Sequence, residues 1–320
     1  MNHHDLIRYD PDIGYTFMPC AKLRVPFAQG AYLVATNSLG FRSDELPVDT
    51  GDDIFVFGDS FTAGDGVSNG KRWTDELARL LPDSRFHNFG LPGTGTDQQY
   101  LAWRKFAASR PCRLIVVAVL VENVRRITAA WRPAEARDGR MFFRAKPYFT
   151  LERGELELHH HPVPKDEVAV DEIEGAVYSG GRFTTLRNLA HQLGVKELVQ
   201  SMTSYQPVPD YNSAESAGWQ MMNAILERWV TDSQSPMVII PLPLYQHVEG
   251  TADASQYQSR FREFSERSGR PVIDILPALR AHDRRTRRGF RFRDDPHLTV
   301  EGHKAFAHAI APNLASVLNR

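Results

Sequence analysis

The chain has 320 residues, 42% of them hydrophobic, and a formal net charge of -1. That is enough apolar material for a sizeable core in one large domain or two small ones, and so near-neutral a balance argues against a general affinity for nucleic acid or anionic membrane. The longest wholly apolar run, Leu114 to Val121, falls far short of the roughly 20 residues that span a bilayer, and it reads as a buried parallel strand.

The N-terminal residues Met1 to Arg8 contain no apolar stretch of signal-peptide length, so a cytoplasmic location is expected. Cys20 and Cys112 are the only cysteines. Two cannot build a disulfide framework, and both are read as reduced thiols with no nucleophilic role. Residues 1 to about 50 form an extension to the rest. Within it, Asn37-Ser38-Leu39-Gly40-Phe41-Arg42-Ser43 reads on its own as a loop in which Gly40 relieves backbone strain and Arg42 pairs with a surface carboxylate.

The segment Ile54-Phe55-Val56-Phe57-Gly58-Asp59-Ser60-Phe61-Thr62 puts a serine directly after a short apolar run, where a buried strand ends in a tight turn. Reactive groups collect there in open α/β sheets, because the crevice lies at the carboxyl ends of the strands and the following helix aims its N–H groups at it. Asp59-Ser60 is also an ordinary helix cap. A helical stripe of Trp73, Leu77, Leu80 and Leu81 follows.

In Asn88-Phe89-Gly90-Leu91-Pro92-Gly93-Thr94-Gly95-Thr96 a second strand runs into a glycine-rich turn that lets backbone N–H groups approach a ligand. A phosphate loop is disfavoured, since the order is Gly-x-x-Gly-x-Gly and no Gly-Lys-Ser/Thr follows. Tyr100, Trp103, Phe106 and Ala107 make the next stripe. The apolar strand from Leu114 then ends at Asn123. A glycine N–H and an asparagine amide are suitable donors to an oxyanion.

Residues of about 128 to 215 form an insertion between the third and fourth strands. Tyr148 to Leu158 alternates around a glycine turn and predicts a β-hairpin. Entering after Asn123, the insertion is expected to lie beside the crevice as a lid. His159-His160-His161 does not make a metal site, because neighbours on a strand point to opposite faces. No zinc-ligand spacing occurs elsewhere, and the expected chemistry needs neither metal nor cofactor.

Met222, Ile225, Leu226, Trp229 and Val230 predict a helix before the strand Met237 to Ile240. Tyr257, Phe261 and Phe264 predict another, capped by Gly269, and a short strand follows around Val272-Ile273. Alternation of strand and helix is the α/β signature. The run Arg284, Arg285, Arg287, Arg288, Arg291 and Arg293 reads as a solvated face or as a receiver for an anionic leaving group. It abuts Arg293-Asp294-Asp295-Pro296-His297, which supplies an imidazole and a carboxylate to activate a serine. The last helix starts near Thr299, carries Ala305, Phe306, Ala309 and Ile310 on one face, and is expected to kink or end at Pro312.

The order serine, glycine, asparagine, then Asp-x-x-His resembles the SGNH hydrolases, the GDSL-like family, over about residues 54 to 126 and 237 to 312. The resemblance implies a three-layer α/β/α flavodoxin-like fold with a central five-stranded parallel sheet, in one domain with the two additions above. It matches Ser60 to the nucleophile, Gly93 and Asn123 to the oxyanion donors alongside the Ser60 N–H, and Asp294 with His297 to the remaining pair. Phe61 stands where leucine is commoner, and Val121-Glu122-Asn123-Val124 departs from the usual Gly-x-Asn-Asp. A preamble similar to Asn37 to Arg42 occurs in SGNH proteins that look like they act on bacterial surface glycans and related metabolites.

The implied function is a serine esterase that takes a small acyl group, such as acetyl, from a carbohydrate or glycosylated metabolite, with Asp59, Arg291 and Arg293 as further candidates for touching the substrate. The alternatives are an O-acyltransferase acting on a sugar hydroxyl and a non-catalytic binding module on the same fold. The expected partner is a small acylated molecule, with no nucleic acid and no membrane span. The oligomeric state is left open.

Overall fold

The computed structural model of the chain describes residues 6–27, 30–135, 140–168 and 205–319. The N-terminal extension is built of two antiparallel hairpins, β1 (Ile7–Asp10) with β2 (Gly14–Phe17) and β3 (Lys22–Phe27) with β4 (Gly30–Ala35). The Asn37 to Arg42 loop closes it onto the rest. Asn37 Oδ1 accepts the Leu39 and Phe41 N–H groups at 3.1 and 3.0 Å, and Gly40 has φ +85° with the Phe17 carbonyl oxygen 2.4 Å from where a Cβ would sit. No other residue fits there.

Arg42 does not pair with a surface carboxylate. It is fully buried and donates to the carbonyls of Gly64 (2.8 Å) and Val67 (2.7 Å) and to Asn69 Oδ1 (3.1 Å). It also reaches the Leu33 carbonyl at 3.4 Å, so the guanidinium fork is used as an internal brace.

Strands β5 (Asp53–Phe57), β6 (Arg85–Asn88) and β7 (Leu114–Leu120) follow, with α1 (Ser60–Ala63), α2 (Trp73–Leu80) and α3 (Thr96–Phe106) between them. After α4 (Asn123–Arg126) the insertion contributes β8 (Trp131–Glu135), β9 (Met141–Ala145) and the hairpin β10 (Tyr148–Glu152) with β11 (Glu155–His159), which pairs Tyr148 to His159 and turns at Arg153-Gly154. A short β12 (Glu167–Val168) pairs with β9. Residues 169–204 of the insertion lie outside the described residues, as does the N-terminal Met1 to Asp5.

Helix α5 (Ala217–Asp232) leads to β13 (Met237–Leu242), and four helices and the final α10 come after it: α6 (Tyr245–Glu249), α7 (Ser255–Ser268), α8 (Leu276–Arg280), α9 (Arg284–Arg288) and α10 (Val300–Leu318). The central sheet is parallel in the order β6-β5-β7-β13, with Ile54 opposite Phe86 and Leu114 and Val116 opposite Val238. Every residue of β5, β7 and β13 is buried. That two-faced burial is why these strands read as continuous apolar runs, and each Val, Leu, Ile, Phe or Met side chain in them contributes about 1.5–3 kcal/mol.

The expected fifth strand is a single parallel bridge, Val272 pairing with Ile239 of β13. The Ile239 N–H donates to Pro271 O at 3.0 Å and the Ile273 N–H to Ile239 O at 2.9 Å. Pro271 has no N–H to extend the ladder, and Asp274 Oδ1 takes the Leu276 N–H at 3.0 Å and starts α8. Counting this bridge, the spatial order is the flavodoxin-like one.

Helix α2 packs against α10 and α3 against α5. Of the apolar residues expected on their stripes, Trp73, Leu77, Tyr100, Trp103, Trp229, Phe306 and Ile310 are buried, while Leu80, Leu81, Phe106, Val230 and Ala305 are half-buried against the core. Helix α7 ends at Gly269 in the left-handed region. Helix α10 is capped by Thr299, whose side chain accepts the Gly302 N–H, and it does not end at Pro312 but continues to Leu318. The N–H that proline lacks would have bonded the carbonyl of His308, a residue on the exposed side. Among the described residues, no helix is long and apolar enough to cross a membrane.

Candidate active site

The end of β5 has no space for side chains on its turn. A Cβ on Gly58 would lie 2.1 Å from Thr62 Oγ1 and 3.2 Å from the Ala118 carbonyl oxygen of β7, and one on Gly90 would lie 2.3 Å from the Ala63 nitrogen. The two glycines let the serine turn and the second strand's exit touch backbone to backbone. Asp59 caps α1 by accepting the Phe61 N–H at 3.0 Å, which makes Ser60 the first residue of the helix. Asn88 ties the neighbouring exit to it, giving its amide to Thr62 O (2.6 Å) and Thr74 Oγ1 (2.9 Å) and taking the Gly90 N–H at 2.8 Å.

Ser60 and His297, 237 positions apart, meet at the top of the sheet: Ser60 Oγ is 2.9 Å from His297 Nε2. The carboxylate behind the imidazole is Asp295, not Asp294. Asp295 Oδ1 lies 2.6 Å from His297 Nδ1 and also accepts the His297 backbone N–H at 2.8 Å, while Asp294 is exposed. The cause is local. Asp295-Pro296-His297 closes a side-chain turn over the proline, which carries the Asp295 carboxylate under the ring and turns Asp294 outward. With Nδ1 donating to this carboxylate, Nε2 is left to accept the serine proton.

Burial pulls the His297 pKa down, but the Asp295 hydrogen bond and the charges of Asp65, Asp295 and Asp59 outweigh it, and the net shift is upward. For Asp295 burial pushes up, yet the hydrogen bond and charge of His297 hold it below the usual carboxylate range. Asp65 is 9% exposed and follows directly on α1, its N–H bonded to Ser60 O at 3.0 Å. It escaped the sequence reading because a Gly-Asp-Gly stretch looks like any polar turn.

On the other side of Ser60 stand the oxyanion candidates. Asn123 is fully buried at the end of β7, and neither its amide nitrogen nor its oxygen has a hydrogen-bond partner. A buried amide without partners is costly, and such a group is the kind that waits for a ligand. Gly93 has φ +73°, with the Tyr15 hydroxyl 3.2 Å from where its Cβ would be. Tyr15, from the N-terminal extension, donates to the Pro92 carbonyl and so braces the glycine turn. Val124, where the family carries an acid, is packed in the core.

The three residues named as further substrate contacts fare differently. Asp59 is completely buried, with one oxygen on the Phe61 N–H and the other 2.8 Å from Arg126 Nη1, so it builds the turn and does not face substrate. Arg291 is 2.8 Å from Glu249 Oε1 and lies over the Tyr245 ring at 4.3 Å, which ties the arginine run to α6. Arg293 is exposed. The histidine run also disperses: His159 bonds Thr150, His160 the Lys146 carbonyl and His161 Asp12.

An aromatic wall closes the imidazole side. Phe61 lies 5.1 Å and Phe27 6.1 Å from the His297 ring, and Phe27 also meets Phe292 at 5.1 Å. The two phenylalanines cover Gly66, where a Cβ would come within 2.6 and 2.7 Å of them. Phe61, Pro243, Tyr245, Phe290, Pro296 and Leu298 line a shallow pocket beside it, with room for little more than a water molecule.

The family model of the GDSL-like lipase/acylhydrolase family matches residues 56–305, which is most of the chain and spans Ser60 to His297. The chain belongs to this family. It is a hydrolase of ester bonds. Among solved structures it is similar to the lipase/acylhydrolase from Enterococcus faecalis, at 13% identity over 83% of this chain and 96% of that one, with a TM-score of 0.44. It is similar also to TesA, at 10% identity, 83% and 99% coverage and a TM-score of 0.44, and to an acetylxylan esterase from Geobacillus stearothermophilus, at 11%, 83% and 95% with the same TM-score. No curated protein sequence matches the chain.

Proposed function

We propose that this acylhydrolase is a serine esterase that removes a small acyl group, acetyl foremost, from a carbohydrate or glycosylated metabolite by way of an acyl-enzyme. The observation that carries the reading is the continuous relay of Ser60 Oγ, His297 and Asp295, at 2.9 and 2.6 Å. His297 Nε2 takes the Ser60 proton as the oxygen bonds to the ester carbonyl carbon. The carbonyl oxygen becomes an oxyanion facing the Ser60 and Gly93 N–H groups and the Asn123 amide. On collapse the C–O bond to the alcohol breaks and His297 returns the proton to the leaving oxygen. Water then repeats the sequence and frees the carboxylic acid.

We assign the insertion, which enters directly after Asn123, the role of lid and specificity element. Hydrolysis of nitrophenyl esters from acetyl to octanoyl by wild type, Ser60→Ala and His297→Ala tests the reading. Wild-type activity that is greatest with acetyl and lost in both variants is the expected result. Wild-type turnover only when a sugar acceptor is supplied would instead identify an O-acyltransferase, and activity that survives both substitutions would remove the serine mechanism.

A further inference from the structure

The insertion brings one cation to the site that the chemistry above does not use. Arg132 lies on β8, and its guanidinium carbon sits 4.0 Å from the centroid of the Tyr15 ring. Its Nε is buried without a hydrogen-bond partner, and no carboxylate among the described residues pairs with it; its cross-strand neighbour Arg144 takes Glu167 at 2.9 Å. Tyr15 is the residue whose hydroxyl holds Pro92 and borders Gly93, so the guanidinium rests on the same ring that supports the glycine turn. The other arginine at this turn, Arg126, is bound to Asp59 at 2.8 Å and also donates to Thr94 O at 3.4 Å.

We propose that Arg132 binds an anionic group, carboxylate or phosphate, carried by the ester substrate. The inference rests on the esterase reading of Ser60. A guanidinium held over an aromatic face keeps its edge free, and that planar fork matches a carboxylate or phosphate with two parallel N–H···O bonds. A partly buried cation with no internal counter-charge is costly to maintain, and an anion from the substrate supplies the missing partner. The carboxylates of the site are placed elsewhere: Asp59 is taken up by Arg126, while Asp65 and Asp295 act on His297. The site is therefore cationic at the glycine turn and anionic at the imidazole, and an anionic substituent is directed to the insertion side.

The test compares kcat/KM for matched esters that differ by one charge. One pair, a nitrophenyl hemisuccinate and its methyl ester, puts the charge in the acyl half. Acetoxybenzoate with its methyl ester, and an acetylated sugar phosphate with the unphosphorylated sugar ester, put it in the alcohol half. Wild type should favour the anionic member of one arm by about 10- to 100-fold, the equivalent of one charge-assisted contact. In Arg132→Gln the ratio should fall to about one, and Arg132→Lys should keep part of it.

Ratios near one for wild type in both arms, or an unchanged ratio in Arg132→Gln, would overturn the proposal. The wild-type ratios decide even if a variant fails to fold. Should wild type hydrolyse no ester in a Ser60-dependent way, the esterase reading fails by itself. Calorimetric binding of the anionic and neutral esters to the Ser60→Ala protein would still report on Arg132, with equal affinities counting against it.

Discussion

At the scale of single residues, one oxygen of Asp295 holds both the ring and the backbone of His297, so the orientation of the imidazole is fixed twice from the same carboxylate. Replacing Asp295 by Asn should therefore lower kcat roughly 10,000-fold, the scale on which a mis-set tautomer acts, whereas Asp294→Asn should stay within a fewfold of wild type. Equal losses in steady-state assays of the two variants would return the role to Asp294. Asp65 is the second residue whose part is testable. The base works only when neutral, and an upward-shifted His297 must lose its proton at higher pH, so the rising limb of kcat/KM should lie above the ordinary histidine value of 6.5. Asp65→Asn removes a negative charge facing the imidazole and should move that limb to lower pH. A pH profile that does not move would deny Asp65 this influence.

At the scale of elements, the serine turn depends on its neighbours as much as on its own sequence. Arg42 reaches from the N-terminal extension into the segment after α1 and binds Gly64 O, Val67 O and Asn69 at once. This segment carries Asp65 and, through Gly66, seats Phe27 and Phe292 against His297. Desolvation brings the Arg42 pKa down to about 10, still high enough to keep its charge at neutral pH. Arg42→Lys preserves the charge but offers a single point where three directions are needed. It should cost about 2–4 kcal/mol of stability in denaturant unfolding and lower kcat together with it. A variant as stable as wild type would mean that the carbonyls of Gly64 and Val67 are served by something other than this fork.

At the scale of the whole molecule, two buried histidines outside the Ser60-His297-Asp295 relay contribute to the response to acid. His303 is buried, accepts the Trp73 N–H on Nδ1 at 3.1 Å, and has its pKa pushed down to about 3 by burial and the nearby Arg72. His247 is likewise lowered, to about 4, by burial and Arg280. Unfolded, both would titrate near 6.5. The unfolded chain thus binds protons that the native one refuses. Their contribution is fully present above about pH 6.5 and is lost as the pH falls towards 4, at roughly 1.4 kcal/mol per unit for each histidine. Unfolding free energies at pH 7.5, 6 and 5 should show this decline, and His303→Gln should flatten it. An identical slope in the variant would place the acid sensitivity elsewhere.

The sequence by itself determined what depends on neighbours along the chain. The apolar runs that become β5, β7 and β13, the helical stripes, the caps at Thr299 and Gly269 and the hairpin at Gly154 all follow from local periodicity and backbone preference, and so do the positions of Ser60 and His297 at strand and loop ends. The tertiary structure alone decided which of two adjacent aspartates meets the imidazole, that Asp59 and Arg291 are consumed by Arg126 and Glu249, and that Pro271 reduces the fifth strand to one bridge. It also brought Tyr15, Asp65 and Arg132 to the site from three separate segments. Pairing between side chains far apart in sequence depends on distance and direction in three dimensions, and neither residue type nor spacing encodes these.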